Sequence, residues 1–289
     1  MTQPFFPNQP QTVLELESRL RAATAAVPQA DRLKIYEVFS RMAPTLLPTD
    51  FRVEGDMVIA LQGGREIAFS DPLPAVKYSH VVFDYRNWLE HKYALPGFVE
   101  VEKGDLVIDC GAFVGGFSLA AVQRAGAVHA FEPAPQNAAC LRRKLQPFAN
   151  ATVRQMGLFN ETKSLTLNIS ASSVEHSLLT PDDGDAVSKL EIEVIRLDDY
   201  IKREGLGQID FLKIEAEGVE LEVFDGLGDL RPRKIAIDVS PEREGQSPAD
   251  EFKARLGALG YEMSQRAHVL FARLPSKRRG GFSFLRRGG

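Results

Sequence analysis

Residues 107–121 read VIDCGAFVGGFSLAA. An apolar run carrying Val107 and Ile108 closes on Asp109, glycines follow at Gly111 and Gly115, and a second apolar run begins at Phe117. That order suits a buried parallel strand, a tight turn and a helix, the unit from which a doubly wound sheet is built. A dinucleotide-binding turn would read GxGxxG, its second glycine letting the backbone approach a pyrophosphate. Here Phe113 stands at that place, and Asp109 just ahead of the turn would repel a phosphate but could hold an ammonium. The pattern points away from a nicotinamide dinucleotide and towards S-adenosyl-L-methionine, which carries an amino acid and a ribose but no phosphate.

The next strand, AVHAFE, ends at Glu132 and Pro133, one β-α-β step further on. An acid there can accept both ribose hydroxyls, and Pro133 is expected to start the following helix, where no N–H is needed. Further along, LKIEAEGVE ends a third apolar strand with Glu215 and Glu217, at the carboxyl edge beside the glycine turn. Glu220 suits either the site or a cap on the positive end of the next helix. Lys213 suits a structural ion-pair partner of these acids.

Around these anchors the chain alternates strands and helices. Strands are expected at LVIDC, AVHAFE, TVRQM, SLTLNI, EIEVIRL, DFLKIE, KIAIDVS and VLFARL, and helices at FSLAAVQRAG, PQNAACLRRKLQPF, EGVELEVFDGL and PADEFKARLGALG. Gly126, Gly226 and Gly260 fall where helix C-caps prefer glycine. The alternation predicts an α/β, mostly parallel, doubly wound sheet with ligands at the carboxyl ends of its strands. Upstream, residues 12–27 and 31–43 have helical spacing, residues 51–69 alternate like short antiparallel strands broken at EGD and QGG, and residues 81–95 suit a short helix.

Three of these stretches together, VIDCGAFVGGFSLAA, HAFEPAPQNAACLRRKL and IDFLKIEAEGVELEVFDGL, resemble the FkbM family of S-adenosylmethionine-dependent methyltransferases. The family joins D-x-G-A-x-x-G, a strand-end E-P and a later K-I-D-x-E-G-x-E in that order, and the match covers about residues 104–261. The resemblance implies a class I methyltransferase (Rossmann-like) sheet and methylation of a hydroxyl on a sugar, polyketide or other secondary product. Two positions depart from the pattern: Glu215 where the family commonly has Asp, and Phe113 where Asn is common.

On this reading Asp109, Gly111, Ala112 and Gly115 shape the methionine pocket, Glu132 and Pro133 hold the ribose, and Gly157 and Leu158 edge the adenine. Glu215, Glu217 and His176 border the acceptor and are the candidate bases, because an alcohol attacks a methyl group well only as its proton leaves. His176 lies in the polar stretch SASSVEHSLLTPDDG. A protein of the same fold that binds the cofactor without turnover is the alternative.

Organisation follows as residues 1–96, a helical and β-hairpin extension serving as lid or dimerisation surface; 97–274, the cofactor-binding domain; and 275–289, a basic tail. A homodimer through the extension is one expectation. A formal net charge of −4 argues against a nucleic-acid partner, leaving a small-molecule or glycan acceptor. No run reaches eighteen apolar residues, and MTQPFFPNQP has neither a basic n-region nor an apolar h-region, so no membrane span and a cytoplasmic location are expected. The two cysteines, Cys110 and Cys140, suit buried thiols. No metal is expected, since the acids of EAEGVE lack a second ligand cluster and the histidines have no ligand spacing.

Overall fold

Alternation along residues 106–110 sorts that strand's side chains onto two faces. Val107 joins one buried cluster, while Ile108 and Cys110 join a second. The same division runs through residues 211–214, with Phe211 on the first face and Leu212 and Ile214 on the second. Strands buried on both faces need helices on both sides, and that is the architecture found.

The computed structural model describes residues 19–20, 22–24, 26–42, 46–70, 85–169, 188–243 and 245–275. In chain order these contain α1 (Gln29–Phe39), β1 (Thr49–Glu54), β2 (Met57–Gln62), β3 (Arg65–Ser70), α2 (Tyr85–Tyr93), β4 (Leu106–Cys110), α3 (Gly116–Ala121), β5 (Ala127–Phe131) and α4 (Pro135–Leu145). There follow β6 (Ala151–Arg154), β7 (Gly157–Leu158), β8 (Lys163–Ile169), β9 (Ser188–Ile195), α5 (Leu197–Glu204), β10 (Phe211–Ile214), α6 (Glu220–Asp225), β11 (Lys234–Asp238), α7 (Ala249–Ala258), β12 (Glu262–Arg266) and β13 (Val269–Arg273).

The central sheet has seven strands in the order β12-β13-β11-β10-β4-β5-β6. Neighbours from β11 to β6 run parallel, and β13 enters antiparallel between β11 and β12. The fold is the expected α/β, mostly parallel, doubly wound sheet. Helices α2, α3 and α4 pack with the first buried cluster and α5, α6 and α7 with the second. Strands β4, β5 and β10 end level, Cys110 pairing with both Phe131 and Ile214, so the residues that follow each strand meet along one edge.

Several expectations need correction. The hairpin of the extension is a three-stranded meander, β1-β2-β3, whose third strand packs on α4. The strands at SLTLNI and EIEVIRL leave the central sheet. They form β8 and β9 of a separate sheet ordered β7-β9-β8, where exposed side chains at Ser164, Thr166, Lys189, Glu191 and Glu193 alternate with less exposed neighbours. Residues 197–204 are helical where a strand was extended to Leu197, and Gly205 in the left-handed conformation closes that helix. Strand β12 was not expected at all: as a sheet edge it carries EMSQR, with little apolar signal. Pro133 does not start α4. Pro135 occupies its first turn, and residues 132–134 form the turn before it. Likewise α6 starts at Glu220, leaving Glu217 and Gly218 in the preceding turn. The expected helix at residues 12–27 lies largely outside the described residues, as do residues 276–289 of the tail.

Candidate active site

Asp109 and Lys213 stand directly opposite each other on adjacent parallel strands, both turned to the face that also carries Tyr93 and Phe117. Both are buried. Lys213 Nζ lies 3.1 Å from Asp109 Oδ1, and Ser118 Oγ donates to Asp109 Oδ2 at 2.6 Å. The ammonium that Asp109 meets in the structure is therefore that of Lys213. Lys213 also donates to the carbonyls of Gly111 at 2.6 Å and Cys110 at 3.2 Å, and reaches Glu215 Oε2 at 3.1 Å. Burial works to lower the lysine's proton affinity, but Asp109 and Glu215 outweigh it and keep the lysine charged.

The turn between β4 and α3 is built by close approach. Gly111 has φ +69°, and a Cβ there would sit 1.7 Å from the carbonyl oxygen of Glu215. Gly115 has φ +85° and caps α3, where a Cβ would meet Leu141 at 2.4 Å. Ala112, buried, donates its N–H to Phe131 O at 2.8 Å, which ties the turn to β5. Phe113 adopts φ +50°, unusual for a side-chain-bearing residue, and its N–H donates to Glu132 Oε2 at 2.9 Å.

Glu132 is 6% exposed. Its Oε1 accepts the Ala134 N–H at 3.0 Å, and Asn137 Nδ2 lies at 3.5 Å. Burial pushes the carboxyl up to about 7, against the opposing pull of these donors and of Lys213. Pro133, half-buried, sits inside this turn. Gly157 and Leu158 form β7 beside Val194 and Ile195, and Leu158 packs into the second buried cluster.

At the end of β10, Glu215 is clasped from two sides: Lys213 on Oε2 and Lys92 on Oε1 at 2.7 Å. Burial acts to raise the Glu215 carboxyl, but Lys92 and Lys213 outweigh it and hold it well below the usual carboxylate range. Lys92 simultaneously reaches Asp238 Oδ2 at 2.7 Å. Asp238, at the end of β11, is fixed by the backbone N–H of Ser240 at 2.9 Å and by the Ser240 hydroxyl. Both lysine ammoniums lie about one ring-width from Tyr93, at 4.9 and 5.1 Å from its centroid.

Glu220 is a capping residue, accepting the N–H groups of Ala216 at 2.8 Å and Gly218 at 3.2 Å. Glu217, half-buried, sits in that same turn with φ +51°. His176 lies outside the described residues. Asp109, Gly111, Ala112, Glu132 and Glu215 thus gather along one sheet edge, with Glu217 just beyond. Lys92 and Asp238 join them without having been expected. Lys92 lies 123 positions from Glu215 in sequence, and its only local signal is a charged residue beside a tyrosine on a short helix. Asp238 is the last residue of β11 and Asp109 the last but one of β4, each an acid ending an apolar run in the sequence, and that parallel could have marked it.

Residues 109–263 match the methyltransferase FkbM domain family. The chain is 28% identical over 221 residues to 31-O-demethyl-FK506 methyltransferase FkbM of Streptomyces tacrolimicus, covering 66% of this chain and 85% of that one. It is 29% identical over 226 residues to methyltransferase sdnD of Sordaria araneosa, covering 66% and 86%. Among solved structures, precorrin-6y C5,15-methyltransferase of Geobacter metallireducens GS-15 aligns at 14% identity over 71% of this chain and 92% of its own, with a TM-score of 0.40.

Proposed function

We propose that this chain, which belongs to the FkbM methyltransferase family, transfers a methyl group from S-adenosyl-L-methionine to a hydroxyl of a small-molecule acceptor, a polyketide, sugar or other secondary product. The observation that carries the donor is the level ending of β4, β5 and β10. It brings the turn at Gly111, the acid Glu132 and the acid Glu215 to one edge of the sheet. The oxygen acceptor is supported by the Streptomyces relative, whose name gives a 31-O-demethyl compound as its substrate.

On this reading Gly111, Ala112 and Gly115 shape the methionine end of the donor site. Asp109 acts from beneath through Ser118 and Lys213. Glu132 and Pro133 take the ribose, and Gly157 and Leu158 edge the adenine. The donor supplies an electrophilic methyl on a sulfonium, and the chain's task is to align an acceptor oxygen with it. Glu215, Glu217 and His176 border the acceptor. Glu215 is a poor base, because two lysines stabilise its charge; its fitting role is to orient a hydroxyl. Glu217 and His176 are the candidates for taking the proton. The N-terminal extension covers the site, and the protein acts in the cytoplasm.

Methyl-labelled S-adenosylmethionine incubated with the protein and a panel of hydroxylated polyketides and sugars tests the assignment. Label recovered in an alkali-stable ether is the expected outcome. Label found only on nitrogen or carbon would replace the oxygen acceptor. Donor binding with no transfer to any acceptor class would favour the cofactor-binding protein without turnover.

A further inference from the structure

We propose that Lys92, carried in from the N-terminal segment, is a positioning residue for donor binding: through Glu215 and Lys213 it holds the glycine turn after β4 in its binding shape. The proposal rests on the donor reading above and adds to it a residue outside the matched domain, which begins at residue 109.

The chain of contacts can be followed atom by atom. The turn's carbonyls at Cys110 and Gly111 both accept from Lys213 Nζ, so the direction of that ammonium decides where the turn's peptides point. Lys213 is aimed by two acids, Asp109 on its own face and Glu215 Oε2 at the strand end. Glu215 also covers Gly111 with its main chain, and its N–H donates to Cys110 O at 3.2 Å. On its other oxygen the Glu215 side chain is held by Lys92, with a further hydrogen bond to the Tyr93 hydroxyl. Lys92 in turn is braced by Asp238, which Ser240 anchors.

Charge makes the link stringent. Asp109, Glu215 and Asp238 are three acids served by two lysines. Taking Lys92 away leaves Asp109 and Glu215 sharing Lys213 and removes the lysine that Asp238 pairs with. Glu215 then keeps Lys213 and the Tyr93 hydroxyl but loses the lysine on Oε1, so its side chain is held less firmly and its grip on Lys213, and with it the turn, loosens. The groups facing Glu215 are Lys92 and Tyr93 from α2, Lys213 from β10 and Asp109 from β4. Asp238 and Glu242 face it from β11 and the residues after it, and Glu220 from α6. Of these only Lys92 and Lys213 are cationic.

The test is calorimetric titration with S-adenosylhomocysteine of the wild-type chain and of Lys92→Met, Lys92→Arg and Glu215→Gln, with thermal unfolding confirming that each is folded. We expect Lys92→Met to bind about tenfold more weakly at both about pH 8 and about pH 5.5, because what is lost is a contact on Glu215 and not a proton. Lys92→Arg should recover most of the loss. Glu215→Gln should lose as much as Lys92→Met, and the double variant no more than either, since both cut one chain. If Lys92→Met does not fold, Glu215→Gln and Lys92→Arg carry the comparison. Affinities for Lys92→Met or Glu215→Gln within about twofold of wild type at both pH values would overturn the proposal. A wild-type chain that binds neither S-adenosylhomocysteine nor S-adenosylmethionine would instead remove the donor reading, and the proposal with it.

Discussion

At Gly111 the backbone admits no side chain, for two independent reasons: a left-handed φ and a carbonyl where a Cβ would be. Gly111→Ala should therefore lower the unfolding free energy by at least about 2 kcal/mol and abolish donor binding, read by denaturant melts and by titration. Glu132 makes a different prediction. Its carboxyl sits at about 7 in the folded chain against an ordinary 4.5. The folded state thus holds a proton across that window that the unfolded chain has given up. Its stabilising contribution is complete below the lower value and is lost as pH rises through the upper one. The stability difference between wild type and Glu132→Gln should move against wild type by up to about 3 kcal/mol between those limits, and parallel pH curves would refute it. The placement of Asp109, Gly111, Glu132 and Glu215 on one edge was legible because each follows an apolar strand at a fixed step. Lys92 was not legible, because its partners are assembled only by the tertiary fold.

Helices and strands buried on both faces announced themselves by composition: LVIDC, KIAIDVS and VLFARL each read as strands because both faces need apolar residues. Elements with one wet side were harder. Strand β12 has polar residues at most positions, and β7 spans only two residues, below what periodicity can detect. Gly226 shows how a correct residue can be picked for the wrong reason. It was expected as a helix C-cap and is one, but with φ −68° and not in the left-handed conformation that favours glycine at a cap. What demands glycine there is the carbonyl oxygen of Phe159, 2.2 Å from where a Cβ would sit, which presses the end of α6 against the chain leaving β7. Gly226→Ala should cost about 1–3 kcal/mol without any backbone strain of its own. Faster amide exchange in β7 and β9 than in β4 would report the displaced contact, and an unchanged melt would contradict it.

For the molecule as a whole, the strand order and the two buried clusters divide labour between faces. One face joins α2, α3 and α4 to the N-terminal meander through buried apolar contacts and through Arg143, which bridges Glu54 and Glu66. The extension is thereby packed onto the same helix that follows Glu132, and Ser70 at the end of β3 lies 3.4 Å from the Asn137 side chain beside that acid. The other face is closed by α5, α6 and α7. The reversed strand β13 has a practical meaning. It pairs Val269 with Asp238 and Arg273 with Lys234, so it travels from the site edge back to the far rim of the sheet. Residues 273 and 274 therefore lie beside Arg233 and Lys234, on the rim opposite Gly111, Glu132 and Glu215, so the described chain leaves the sheet far from the candidate site.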